Sequence, residues 1–289
     1  MTRRYFDGAR AALRQLLLGY KQIRLSDNES AQERQRAERL REKDRRLALQ
    51  TQSAAQRGTQ DKARRKRRPS VGEVRFGDLR RLSPISRDYG LDRGRPIDRY
   101  YIEKFLAGHA DDIRGRVLEI KDSAYTRKFG SERVNVSDVL DIEEDNPHAT
   151  IVADLTSADH VPSDTFDCII FTQTLHVIYD LNAAVQTLQR ILKPGGILLA
   201  TFPGISKTSC ARRDHYFYWA LTTLSARRLF AEAFPAENVE IEAHGNVLAV
   251  IAFMQGLAVR DLRRRELDYQ DPDYELLITL RAVKPNEGS

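Results

Sequence analysis

The 289-residue chain reads as an α/β protein built on a doubly wound, mostly parallel sheet, with a helical extension on its amino-terminal side. Three observations lead there. Short apolar runs alternate with acidic turns between residues 116 and 201, a helical period fills the interval before the last run, and Leu192-Lys193-Pro194-Gly195-Gly196 turns the chain into it. Repeated strand-to-helix transitions favour a sheet with helices on its faces. Ligands of such sheets gather at the strand carboxyl ends.

The extension comes first. Residues 9–20 set Leu13, Leu16, Leu17 and Tyr20 at helical spacing. Residues 29–57 are rich in Glu, Gln, Arg, Lys and Ala and contain neither Pro nor Gly, which supports a long helix. Leu40, Leu47 and Ala54 keep a seven-residue interval, but Asp44 interrupts a second line through Ala37. The pattern predicts a weak or partner-dependent coiled coil, and with it a homo-oligomer or a protein partner through 29–57. Between 62 and 68 every residue except Ala63 is Lys or Arg. That run suits an anionic partner, or a solvated linker, since no aromatic residues interleave with it. The expected organisation is a charged helical extension over 1–68, an extended docking linker over 69–95 with Phe76, Leu79, Leu82 and Ile85 as its contacts, and the sheet domain over 96–289.

Residues 96–110 predict a helix whose apolar face is Ile97, Tyr101, Ile102, Phe105 and Leu106, serving as a packing helix or as a lid. Strand runs follow at 117–120, 134–136, 151–153, 166–171 and 197–202. Residues 181–192 carry Ala184, Val185, Leu188, Ile191 and Leu192 along one helical face, and Asp180 is placed to start that helix. Ser225 is the expected cap of a helix leading to Phe234. Residues 239–244 alternate as a strand, 247–257 read as a helix, and 274–283 as a closing strand.

Composition narrows the function classes. Cys168 and Cys210 are too few for a disulfide framework or a thiolate zinc cluster, and the six histidines form no metal-ligand spacing. No apolar stretch approaches the roughly 20 residues of a membrane span, and no secretory signal is evident, so a cytoplasmic location is expected. The glycine-rich phosphate turns of dinucleotide-binding and P-loop proteins are absent.

Between Val117 and Thr201 the sequence resembles the class I S-adenosylmethionine-dependent methyltransferases, particularly those acting on small molecules; the likeness extends more weakly over 96–283. The resemblance implies a Rossmann-like sheet with a late antiparallel strand and S-adenosylmethionine as cofactor. It casts Glu119 as organiser of the first loop, Asp138 as the ribose acceptor 19 residues later, Asp154 and Leu155 as the pair beside adenine, and Gln173 at the cofactor edge. Asp167 falls in the fourth-strand motif, with a role in ligand binding or in fixing a turn. The first loop departs from the family: Ile120-Lys121-Asp122-Ser123-Ala124 lacks its glycines, and the next glycine is Gly130. Lys121 either points outward or opposes the sulfonium, Asp122 offsets part of its charge, and Ser123 and Ala124 are small enough for a close turn.

Methyl transfer needs an acceptor lone pair held in line with the departing sulfur. His176, just after the fourth strand, is the first candidate for a general base because imidazole titrates near neutral pH, and His215 is the second. Tyr179, Asp214, Tyr216, Tyr218 and Trp219 are candidates for the acceptor wall. The expected activity is methylation of an oxygen, less readily a nitrogen, of a small molecule such as a sugar, a phenolic compound or another natural-product intermediate. A catalytically inactive, methyltransferase-like scaffold is the rival reading, and a nucleic-acid methyltransferase using residues 62–68 is a third.

Overall fold

The computed structural model describes residues 69–208 and 217–286. The expected extension over 1–68, with its helix and basic run, lies outside the described residues. The chain divides into two units, Met1–Gly77 and Asp78–Ser289, and everything that follows concerns the second.

Seven strands form one sheet: β1 (Gly115–Ile120), β2 (Val134–Asp141), β3 (Ile151–Val152), β4 (Phe166–Thr172), β5 (Leu192–Pro203), β6 (Val239–His244) and β7 (Leu277–Val283). Their spatial order is β3-β2-β1-β4-β5-β7-β6. β1 to β5 pair in parallel, and β7 runs antiparallel to both β5 and β6. This is the mostly parallel sheet with a late antiparallel strand that the sequence predicts. The order reverses direction between β1 and β4, which opens a crevice at their carboxyl ends.

The faces are filled by α1 (Ile97–Gly108), α2 (Leu181–Ile191), α3 (Thr223–Phe230), α4 (Val247–Met254) and α5 (Arg264–Asp268). Strand alternation sends Leu198, Ala200 and Phe202 to one core, with α2 and α3, and Ile197 and Leu199 to the other, with α1 and α4. Burial on both faces explains why β4 and β5 read as continuous apolar runs. Each such side chain contributes about 1.5–3 kcal/mol. The helices start where polar side chains satisfy their free amides: Asp180 accepts from the Ala183 N–H, and Asn246 from Leu248 and Ala249. The cap of α3 is Thr222, with Ser225 returning the bond from the third helical position, so the expected Ser225 cap moves three residues back.

Two further expectations change. β2 continues five residues past Val136, because backbone pairing with β1 (Leu118 with Asp138, Ile120 with Leu140) carries the strand through polar side chains. The lead-in does dock, but not through Leu82, which is fully exposed. Its contacts are the Ser86 N–H bonded to the Gln255 carbonyl, the Tyr89 ring beside Phe253, and the bridge between Pro96 and Ala258.

At the opposite end of the sheet from the crevice, Asp167 accepts from the Arg116 N–H at 2.7 Å and from Lys193 Nζ at 2.8 Å. Burial opposes its charge, but these donors outweigh it and hold the carboxyl below its ordinary range. Asp167 is therefore a brace between β1, β4 and the turn into β5. The carboxylate lies against Gly115, which has φ 70°; a Cβ there would meet Asp167 Oδ2 at 2.5 Å. Gly115→Ala is expected to lose at least about 1–2 kcal/mol from the left-handed conformation alone, with more if the brace is displaced. Urea unfolding of the variant beside the parent chain measures this.

Candidate functional site

The crevice begins with Glu119, a carboxylate only 3% exposed near the end of β1. Its Oε1 accepts from the Tyr125 N–H at 3.1 Å, and its Oε2 accepts from the Thr126 N–H and hydroxyl, both at 2.7 Å. Burial pushes the carboxyl up, and the Thr126 and Tyr125 donors pull partly against that. Glu119 thus secures the first loop from beneath. Without glycine the chain turns at Lys121, at φ 70°, a conformation that costs an ordinary residue about 1–2 kcal/mol. The Lys121 N–H donates to the Leu140 carbonyl at 3.0 Å, and its own carbonyl accepts from Asn146 Nδ2 at 2.8 Å. Asp122 accepts from the Ala124 N–H, and Ser123 Oγ from Arg127. Local bonds set the turn that glycines set elsewhere.

Beyond the loop lies a cavity of ≈ 220 Å³ at the ends of β1, β2 and β3. Its apolar walls include Ile120, Leu140, Leu155 and Val177, and its charged rim is Lys121, Asp141, Glu143 and Asp154. Asp141 ends β2 and is 5% exposed; it accepts from the Ile142 N–H at 2.8 Å and from Asn146 Nδ2 at 2.6 Å. Asp154 accepts from the Thr156 N–H, which fixes the turn after β3. Lys121, Asp154 and Leu155 all line this cavity. Asp138 does not. It stands within β2, level with Leu118, bonded to Arg116 Nε at 2.7 Å and Thr150 Oγ1 at 3.1 Å. The longer strand transfers its expected position to Asp141.

A second cavity of ≈ 200 Å³ lies among the start of α1, the ends of β4 and β5, and Phe217. Gln173 and His176 line it together with Asp98 and Arg99. Gln173 sits at φ 50°, with its N–H bonded to the Thr201 carbonyl. Among the described residues, Gln173 Nε2 and His176 Nδ1 are both buried with no hydrogen-bond partner, a condition that normally demands one. Burial lowers the His176 imidazole to about 4, so it is neutral at pH 7 and does not titrate near neutrality as a general base would. Asp98 is raised by burial, despite the neighbouring Arg99 charge and the Arg99 N–H. Arg99 Nη1 reaches Tyr125 OH at 3.2 Å, joining this cavity to the loop that Glu119 holds.

The remaining candidates separate by role. Tyr218 lines the first cavity, and exposed Tyr179 stands edge-on to it at 5.3 Å. Trp219 donates to the Ile178 carbonyl at 3.0 Å and packs, partly buried, against the core. Asp214, Tyr216 and His215 lie outside the described residues. Asp141, Asp98 and Arg99 were not legible as site residues. Asp141 had a signal, the acidic stretch with Glu143, Glu144 and Asp145 just after an apolar pair; Asp98 had only that of an acid opening a helix. Among the described residues no cluster of His, Cys, Asp and Glu could hold a metal ion, and no helix is long and apolar enough to cross a membrane.

Residues 105–200 match the family model described as "Methyltransferase domain". No curated protein matches the chain in sequence. Solved structures similar to it include N-methyltransferase NodS from Bradyrhizobium japonicum WM9 in complex with S-adenosyl-l-homocysteine, 16% identical over 70% of this chain and 95% of that one, with a TM-score of 0.44. Another is the Burkholderia thailandensis 1,6-didemethyltoxoflavin-N1-methyltransferase, 13% identical over 68% and 81%, TM-score 0.44. A third is the [4+2]-cyclase SpnF, 18% identical over 65% and 82%, TM-score 0.41.

The depressed His176 pKa carries a stability consequence. A histidine kept neutral in the fold but free to protonate when unfolded leaves stability complete above about pH 6.5 and erodes it as pH falls toward about 4. The full loss is on the order of 3 kcal/mol. His244, also lowered by burial, acts in the same sense. His176→Asn is therefore expected to flatten, without abolishing, the decline between pH 6.5 and 4. Urea midpoints of the two proteins across that range provide the check; parallel curves would contradict the burial argument.

Proposed function

We propose that this chain, which carries a class I S-adenosylmethionine-dependent methyltransferase domain, transfers a methyl group to an oxygen of a small-molecule acceptor. The observation that carries the reading is the adjacency of two cavities of different chemistry at one sheet edge, an acid-rimmed apolar slot and a pocket with unpartnered polar atoms.

The slot at β1 to β3 suits the cofactor. Ile120, Leu140, Leu155 and Val177 offer flat apolar contact to a nucleobase, and Asp141 with Glu143 offers charged acceptors to ribose hydroxyls. The carboxylates of Asp141, Glu143 and Asp154 outnumber the Lys121 ammonium among the lining residues, a balance compatible with a positively charged molecule. When bound, S-adenosylmethionine supplies a methyl group made electrophilic by its sulfonium. The chain's task is to orient the acceptor and exclude water. Glu119 fixes the loop, Arg99 and Tyr125 link that loop to α1, and Gln173 with neutral His176 supplies hydrogen bonds in the acceptor pocket. Lys121 favours one other reading: a domain that keeps the fold and has lost the cofactor, if its ammonium occupies the sulfonium's place.

Titration calorimetry of the full chain with S-adenosylmethionine decides between them. Saturable binding is expected. Asp141→Ala is expected to weaken it about 10- to 100-fold, the value of charge-assisted hydrogen bonds. Asp138→Ala is expected to leave affinity within about threefold while lowering the unfolding midpoint, because it removes only the bonds from Arg116 of β1 and from Thr150 before β3. Failure of the parent chain to bind would support the scaffold.

A further inference from the structure

We infer that the cavity between α1 and the ends of β4 and β5 takes a neutral, single-ring phenol, whose hydroxyl proton passes to the Asp98 carboxylate. The inference rests on the methyltransferase reading and deepens it by naming the acceptor class and the proton acceptor.

The cavity's size sets the first limit. A void of about 150 Å³ holds benzene, so ≈ 200 Å³ admits one substituted ring. Its walls set the second. Tyr89, Phe217 and Phe253 present aromatic surface, and Leu276 and Leu277 close the space with aliphatic groups. Aromatic rings near a carboxylate would also suit an ammonium ion, but this carboxylate already faces the positive charge of Arg99. Arg99 lines the pocket, and Lys207 Nζ lies 3.9 Å from the Tyr89 ring centroid, taking the place a ligand cation would seek. A neutral ring meets none of that repulsion.

Polar side chains share the lining with these apolar groups. Among the described residues, Gln173 Nε2 is a buried donor without a partner and His176 Nδ1 is a second buried polar atom without one, while both side chains line the cavity. Asp98 Oδ1 accepts from the Arg99 N–H at 2.7 Å, and the carboxylate also lines the cavity. A phenolic hydroxyl has one proton to donate, and Asp98 is the carboxylate among the lining residues that can accept it. Proton acidity then selects among alcohols. A phenol resembles tyrosine at about 10, whereas water stands at about 15.7; a carboxylate base assists the first far better than an aliphatic alcohol near the second. The burial that raises Asp98 strengthens it in that role, while the same effect leaves His176 a poor base. In the step, the phenolic oxygen forms a bond to the methyl carbon with its lone pair, the carbon–sulfur bond breaks with its electrons staying on sulfur, and the O–H proton ends on Asp98 as a neutral carboxylic acid.

The test uses the full chain loaded with S-adenosylhomocysteine, whose own binding is measured first. Titrations follow with 4-methylphenol and other one-ring phenols, with cyclohexylmethanol as an aliphatic alcohol and with benzylamine as a cation. Phenol binding at least about tenfold tighter than the other two, weakened about tenfold by Phe217→Ala, is expected. With S-adenosylmethionine present, mass spectrometry should detect the methyl ether. Asp98→Asn should lower kcat by about 10²–10⁴, with Asp98→Glu recovering part of it. Equal or preferred binding of benzylamine or cyclohexylmethanol, or no phenol binding to the loaded protein, overturns the acceptor class. Parental kcat in Asp98→Asn overturns the proton path, and a folding failure of that variant transfers the same decision to Asp98→Glu, whose kcat must then fall below the parent's. Absence of S-adenosylhomocysteine binding is a different result, for it removes the methyltransferase reading itself.

Discussion

One buried carboxylate organises the carboxyl edge of this sheet. Glu119 sits where β1 ends, with three donors from Tyr125 and Thr126 converging on it. Taking a charge out of water is unfavourable unless hydrogen bonds replace its hydration. The Glu119 network both satisfies the acid and commits residues 121–126 to a single path. From that path follow the placement of Lys121 in the first cavity and the position of Tyr125 beside Arg99.

Two of the residues with strained backbone follow the strands that flank the crevice. Lys121 follows β1 and Gln173 follows β4, and both hold positive φ values that ordinary residues avoid. Each is retained by a bond across to a neighbouring strand: Lys121 to the Leu140 carbonyl and Gln173 to the Thr201 carbonyl. Residues held this way cluster at functional sites because the surrounding fold over-determines them. Here they aim a lysine into one cavity and an amide into the other. The charge pattern follows the same division, with carboxylates gathered at the first cavity and a neutral imidazole, an amide and Asp98 at the second.

The segment before α1 belongs to the site as well as to the fold. Ser86 and Pro96 tie it to the residues following α4, and Tyr89 lies against Phe253, so the wall of the second cavity comes from two stretches far apart in the chain. The helix predicted over 96–110 contributes through its first turn, Asp98 and Arg99, while its apolar face of Ile97, Tyr101, Ile102 and Leu106 packs on the sheet. Packing and site-building occupy different faces of one helix.

The amino-acid sequence by itself determined the layer architecture, the strand sequence and the late antiparallel closure, because apolar periodicity and turn chemistry are local properties. It also determined which loops meet the crevice, and Lys121, Asp154, Leu155, Gln173 and His176 from those loops line cavities there. Only the tertiary structure decided where β2 stops. Register against β1 carries that strand through Ser137 and Asp138, makes Asp138 a partner of Arg116, and leaves Asp141 at the edge. Burial likewise decided that His176 is neutral, and the folding of α1 over the sheet brought Asp98 into the lining of the same cavity. Desolvation and cross-strand register arise from neighbours distant in sequence, and no local pattern records them.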